Sequence, residues 1–364
     1  MTARSQRAAL VFGASGFIGR WLVMELLLQG VATTAVVRSD TSAAALTSWL
    51  EAHDVTGVPG LVRADPSRDD FGWSPAQVEH VTEVYNVAGA YAFGMTIEQA
   101  RAANVDTSRR VVSLAATLPR LVRLVHLSGY RVGGQDPSSV PWSEVRVASE
   151  YRRLGAYEAS KVESDAVVQA HAAALGVPWS IVNPSTVIGD SRTGESPQTL
   201  GLGTTVLDLL AGRMPALPGD RTTFVPVVTV DYLAAFMALL PTRGDTTARS
   251  YWVLDDATPA LPDLLRLVGT AHGAKVPRLR VPVALLKRLP VAITRADPET
   301  LSFLSSERYP TGPAEALAAE HGLTHPDVVE SLLRWSHFLL TRHGPAADGA
   351  AASRAAAAAT EAQP

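Results

Sequence analysis

Through the first 190 residues, short runs of apolar and β-branched side chains alternate with longer stretches of helical spacing. Segments 8–12, 31–37, 59–62, 83–87, 121–127 and 179–182 read as buried strands, each bounded by Gly, Pro, Asp or Asn. Between them, 17–29, 42–53, 96–117 and 148–175 have helical length and periodicity. A strict alternation of strand and helix predicts an α/β architecture: a Rossmann-type, doubly wound parallel sheet with helices on both faces. Past Ile188 the pattern changes. Gly, Ser, Thr and Pro crowd 189–205, segments 206–211 and 230–240 are helical, 251–254 is a strand, and the rest to His343 is mostly helical with Pro breaks.

This pattern predicts a dinucleotide-binding domain over 1–190, with 222–240 returning to it, and a smaller, mostly helical substrate-binding region over 191–343. The Ala-rich segment 344–364 has few large apolar residues and reads as a low-complexity tail. A length of 364 residues suits one large domain with a smaller appendage, and 47% hydrophobic against 18% charged residues allows a sizeable core. A net charge of −3 argues against a nucleic-acid partner held by a phosphate-neutralising surface. With no cysteine, the chain has no disulfide, thiolate metal site or cysteine nucleophile. No apolar run approaches membrane-spanning length. Arg4 and Arg7 precede an apolar run that Gly13, Gly16 and Gly19 interrupt, as in a strand, a glycine loop and a helix rather than a leader peptide. The expectation is a cytoplasmic protein without a membrane partner.

The first chemical signal is the loop Gly13-Ala14-Ser15-Gly16-Phe17-Ile18-Gly19, between a strand and a helix. Gly13 permits a sharp turn, Gly16 lets backbone approach a pyrophosphate, and Gly19 lets the helix pack closely on the sheet; the helix N-terminus then faces the anion. The spacing is GxxGxxG rather than GxGxxG. Arg38 closes the second strand, where a guanidinium pairs with the 2′-phosphate of NADP and a carboxylate would instead bind the ribose of NAD. NADP is therefore the expected cofactor, with Asp40, two residues on, leaving NAD open. Asp65 after the third strand is either a hydrogen-bond acceptor for the adenine amino group or the start of an Asp-Pro turn. The small residues around Ala88, in Asn86-Val87-Ala88-Gly89, leave room for a cofactor crossing the sheet, or serve helix packing.

The second signal is Tyr157-Glu158-Ala159-Ser160-Lys161. Four residues apart on a helix, phenol and ammonium share one face. A neighbouring cation lowers a tyrosine pKa from near 10 toward working range, so that Tyr157 can give a proton to a carbonyl oxygen. Ser128, at the end of the fifth strand, offers a hydroxyl to the developing oxyanion.

The order of these parts resembles the extended short-chain dehydrogenase/reductases, over roughly residues 8–240. The resemblance implies Ser128, Tyr157 and Lys161 as the catalytic set, with Asn104, in Asn104-Val105-Asp106-Thr107, a structural or proton-relay residue. It implies cofactor contacts from Gly13, Ser15, Gly16, Phe17, Ile18, Gly19, Arg38, Asp65, Ala88, Tyr157, Lys161 and Asn183. The stretch 183–194 is similar to the "RPG…GDSxTG" segment of thioester-reductase-like and fatty acyl-CoA reductase-like members, with Asn183 in place of the arginine. The other departures are Asn86, where members often place histidine, and Gly129 after the serine.

The implied function is NADPH-dependent reduction of a ketone, aldehyde or thioester-derived carbonyl on a hydrophobic small molecule, free or carrier-bound. The alternatives are a nucleotide-sugar epimerase/dehydratase using NAD and a non-catalytic dinucleotide sensor. A homodimer through helices 96–117 and 148–175 is a further implication of the resemblance. No metal site is expected: His321 and His325 lack a third ligand nearby.

Overall fold

The computed structural model describes residues 7–65, 68–90, 94–199, 201–286, 288 and 304–343; the Ala-rich segment 344–364 lies outside the described residues. The chain divides into two compact units, one of Met1–Ser185, Asp231–Val253 and Pro310–Thr324, the other of Thr186–Val230, Leu254–Tyr309 and His325–Pro364. The first unit thus includes Pro310–Thr324, a segment the sequence pattern groups with the substrate-binding region.

The first unit is built on seven parallel strands: β1 (Ala8–Phe12), β2 (Ala32–Val37), β3 (Gly60–Arg63), β4 (Glu83–Asn86), β5 (Arg123–Leu127), β6 (Trp179–Pro184) and, after the excursion into the second unit, β10 (Arg249–Val253). Their order is β10-β6-β5-β4-β1-β2-β3. Every residue of β1, β4 and β5 is buried, as a sheet covered on both faces requires. The edge strand β3 is largely exposed. The order reverses between β1 and β4, and such a reversal opens a crevice beyond the carboxyl ends of the two strands. The doubly wound fold expected from the alternation is the observed one.

Helices α1 (Phe17–Leu28) and α2 (Asp40–Ala52) flank the β1–β3 half. The expected helix over 96–117 is α3 (Ile97–Ala100), a π-helical stretch Arg101–Asp106, then α4 (Thr107–Ala116). The expected helix over 148–175 is two helices, α5 (Glu144–Leu154) and α6 (Ala156–Leu175). Gly155 separates them at φ 85°, a backbone region a side chain disfavours, and the hydrophobic spacing alone does not reveal the break.

In the second unit, β7 (Thr186–Ile188) pairs with β9 (Val227–Thr229), and β8 (Leu217–Pro218) with β11 (Arg280–Val281). Helices α7 (Leu202–Leu210) and α9 (Leu261–Ala271) pack with the last long helix around Val206, Leu209, Leu265, Leu332 and Trp335. That helix is α12 (Val328–His343), and α10 (Val283–Leu286) also belongs to this unit, whereas α8 (Val230–Leu239), but for its first residue, and α11 (Gly312–Glu320) belong to the first. The four two- and three-residue strands have no counterpart in the sequence pattern because a strand that short shows no period.

Candidate active site

The glycine loop lies at the sheet reversal. Phe12 on β1 pairs in register with Asn86 on β4, so the loop after one strand adjoins Val87 and Ala88 after the other. Gly13 has φ 78°, and a Cβ there would come within 2.7 Å of the Ala88 nitrogen. A Cβ at Gly19 would fall 2.0 Å from the Gly13 carbonyl oxygen, so Gly19 serves close packing. Gly16 differs: it is exposed, and a Cβ there would meet only the Gly13 oxygen, at 3.2 Å. Helix α1 begins at Phe17 with no side-chain cap and no acidic residue in its first turn, leaving its positive end to an anion. Phe17 is buried, and Ser15 and Ile18 are half-buried.

Arg38 is exposed at the end of β2, directly before Ser39, whose hydroxyl caps α2 by accepting from the Ser42 amide. Asp40 lies 3.8 Å from Arg63, at the end of neighbouring β3. Asp65 is exposed, and its carbonyl accepts from the Arg68 amide at 3.2 Å. Asn183 is fully buried near the end of β6, and both polar atoms of its amide are without a hydrogen-bond partner among the described residues. An orphaned buried amide costs on the order of 1–3 kcal/mol, which a ligand able to pair with it recovers. The uncapped helix end, the glycine cradle and this amide all fit a dinucleotide lying across the sheet.

Tyr157, Lys161, Asp165 and Gln169 follow one another at four-residue intervals along one stripe of α6. Tyr157 is half-buried. Lys161 is buried, and its Nζ donates to the Leu127 carbonyl, the last of β5, at 3.0 Å. Burial lowers its pKa to about 8, with the charge of Asp165 acting in the opposite direction. It is one of three lysines, with Lys275 and Lys287, among 32 basic residues. A titratable ammonium therefore stands here in a chain whose basic residues are mostly arginine.

Ser128 is also buried, and its hydroxyl donates to Asp165 Oδ2 at 2.8 Å. The sequence reading aims this hydroxyl at a substrate oxygen; in the structure its hydrogen is given to a carboxylate, the stronger acceptor. Asp165 has no exposure, and Gln169 Nε2 donates to its other oxygen at 2.6 Å. Burial raises the Asp165 pKa to about 6 against the lowering effects of these two hydrogen bonds and of Lys161. Asp165 is missing from the sequence-derived set. Its signal was an acidic residue four positions beyond Lys161, on the helix face that must be buried.

Asn104 lies in the π-helical stretch, a feature frequent at functional sites. Its Nδ2 donates to Ser160 Oγ at 2.8 Å and its Oδ1 accepts from the Ala90 amide at 3.0 Å. Ser160 Oγ in turn donates to the Tyr157 carbonyl at 2.7 Å. Asn104 therefore fixes the helical turn that bears the tyrosine. Behind it, Asn86 Nδ2 reaches Ser108 Oγ and His126 Nδ1, each at 3.1 Å, and burial, aided by Lys161, holds His126 neutral.

The glycine loop, the sheet reversal and the Tyr-Lys stripe coincide with a family of NAD-binding domains described as "Male sterility protein", whose model matches residues 11–237. The chain belongs to that family. It is an NAD(P)-dependent oxidoreductase of the extended short-chain dehydrogenase/reductase type. This member of the male sterility protein family is 27% identical over 286 residues to sterol demethylase protein B of Methylococcus capsulatus, covering 76% of this chain and 78% of that one. It is 26% identical over 231 residues to dihydroflavonol 4-reductase of Zea mays, covering 58% and 61% of the two chains. In fold it is similar to the terminal R domain of the myxalamid PKS-NRPS biosynthetic pathway, with a TM-score of 0.72, 21% identity, and coverage of 94% of this chain and 92% of that one. Among the described residues, no helix is long and apolar enough to cross a membrane, and no group of three His, Asp or Glu could hold a metal ion.

Proposed function

We propose that this protein reduces a carbonyl group on a hydrophobic small molecule, with NADPH as reductant and Tyr157 as proton donor. The observation that carries this reading is the Tyr157–Lys161 pair, with the Lys161 ammonium held at the end of β5 by the Leu127 carbonyl. When bound, the nicotinamide supplies the hydride. Tyr157 gives its phenolic proton to the substrate oxygen as negative charge develops there. Lys161 stabilises the phenolate left behind, and Asn104, through Ser160, holds the turn in place. Of the residues expected to contact the cofactor, Gly16 and the start of α1 would face the pyrophosphate, the Ala88 backbone lies close against Gly13, and Asn183 would offer an amide that has no partner among the described residues. Arg38 favours the 2′-phosphate of NADP.

The names of the relatives, a dihydroflavonol reductase and a sterol demethylase protein, favour a ketone or aldehyde on a bulky apolar substrate. A carrier-bound thioester is the neighbouring possibility, prompted by the fold of the R domain and by the exposed Arg152 and Arg153. The test is NADPH oxidation by the purified chain against a panel of ketones, aldehydes and acyl thioesters. Turnover with a panel member, absent from Tyr157→Phe, supports the reading. Tightly retained NAD with no net cofactor consumption would replace it with the epimerase chemistry of the same scaffold.

A further inference from the structure

Asp165 has no place in the reduction as written, yet it is a fully buried carboxylate one helical turn beyond Lys161 and both of its oxygens are engaged. Oδ2 accepts from Ser128, the residue after β5, and Oδ1 accepts from Gln169, one turn further along α6. One turn in the other direction, Lys161 reaches the Leu127 carbonyl, the residue before Ser128. Two successive residues at the end of β5 are thus fastened to two successive turns of α6, one by an ammonium and one by a carboxylate. Neither charge is neutralised by a surface partner. A buried ammonium and a buried carboxylate one turn apart each favour the charged form of the other.

The other charged groups packed on α6 are engaged elsewhere. Arg101, in the π-helical stretch, pairs with Glu163 at 2.7 Å, and Tyr151 on α5 donates to the same carboxylate at 2.8 Å. Arg131, in the loop after β5, lies 3.8 Å from Glu158. His171 meets Ser113 on α4 at 2.8 Å. His126 on β5 faces Lys161 and is neutral. Asp165 is therefore the anion that acts on Lys161 from within the site.

We propose that Asp165 is the positioning residue of this centre: it clamps the end of β5 to α6 through Ser128 and supplies the counter-charge that keeps Lys161 protonated. The second half of this role rests on the reduction mechanism proposed above, in which a charged Lys161 is required. Ser128 then belongs to the clamp, behind the reacting atoms, instead of donating to the substrate.

The experiment is an NMR titration of protein labelled with 15N-lysine, in wild type, Asp165→Asn, Asp165→Glu and Ser128→Ala, with NADPH oxidation followed in parallel from pH 6 to 10. Only three lysines need assignment, and Lys275 and Lys287 serve as internal controls. In Asp165→Asn the Lys161 pKa falls roughly tenfold in proton affinity, Lys275 is unmoved, and the alkaline limb of kcat shifts down by the same amount. Asp165→Glu restores much of the wild-type value. Ser128→Ala keeps the Lys161 titration but lowers kcat, and adds little on top of Asp165→Asn.

An unchanged Lys161 titration in Asp165→Asn overturns the proposal. So does a Ser128→Ala loss that multiplies fully with the Asp165→Asn loss, the mark of a serine acting directly on the substrate. Should Asp165→Asn not fold, the same Lys161 titration in Asp165→Ser decides, an unchanged value again overturning the proposal. A wild type that oxidises NADPH with no carbonyl, but whose Lys161 titration moves as stated, removes the proposed function and leaves the Asp165–Lys161 coupling standing.

Discussion

Lys161 Nζ lies 3.0 Å from the carbonyl oxygen of Leu127, so this buried ammonium is tied to the sheet by backbone rather than by a side chain. This contact holds the cation on the stripe of α6 that also bears Tyr157, whatever residue stands at position 127. Replacing Tyr157 by Phe removes the proposed proton donor without disturbing that contact. The expected outcome is a fall in kcat of roughly 10²–10⁴-fold, with NADPH affinity within about threefold of wild type. Steady-state kinetics with a reducible carbonyl, beside a fluorescence titration of NADPH, checks both halves. Retained turnover would exclude Tyr157 as the acid.

The proposed preference for NADPH rests on a single exposed side chain at the end of β2, Arg38. In Arg38→Ala, NADPH binding weakens by roughly 10–100-fold while NADH binding stays within about threefold, since a charge-assisted contact to the 2′-phosphate is worth about 1.5–3 kcal/mol. Comparing the two Kd values by quenching of the reduced nicotinamide separates this from a general loss of binding. Equal weakening for both cofactors would mean that Arg38 does not read the phosphate.

The three loop glycines have different tasks, and alanine substitutions separate them. At Gly19 a Cβ would lie 2.0 Å from the Gly13 oxygen, so α1 must move off the sheet. At Gly16 the nearest atom is 3.2 Å away and the surroundings are otherwise open. Gly16→Ala is therefore expected to melt within a few degrees of wild type yet bind NADPH at least about tenfold more weakly, because the methyl occupies the space of the pyrophosphate. Gly19→Ala should lose roughly 2 kcal/mol or more of stability. Thermal melts and cofactor titrations on the two variants test the contrast; equal Tm losses would contradict it.

Much of the fold was legible because its signals are periodic. Segments 8–12 and 17–29 match β1 and α1 to within a residue at each end, since a fully buried run followed by Gly13, Gly16 and Gly19 has few other readings. Gly155 was not legible as a break, because α5 and α6 keep apolar residues at helical spacing on either side of it. At the site, Tyr157 and Lys161 were singled out as types at a spacing and Asn104 by the family resemblance alone, and the structure sets Asn104 against the turn bearing the tyrosine. The direction of the Ser128 hydroxyl was beyond the sequence. It depends on which acceptor lies across from the strand end, and Asp165 comes there only when α6 packs on β5.

The last prediction concerns stability and pH. The folded-state pKa of Asp165 is raised to about 6 from 3.8, so the native state holds this proton more tightly than the unfolded chain. Such a group favours the native state most at low pH, and that favour is lost as pH rises through about 6. Between pH 5 and pH 7 the loss amounts to about 1 kcal/mol. Asp165→Asn cannot titrate, so the stability of wild type relative to the variant should rise by about that much when the pH falls from 7 to 5. In wild type Lys161 adds little in this window, because its pKa of about 8 keeps it mostly charged; its lower pKa in Asp165→Asn adds to the difference in the same direction. Urea melts of both proteins at the two pH values measure the difference. Parallel pH dependence in the two proteins would show that Asp165 titrates in the native state as it does in the unfolded chain, against the burial seen here.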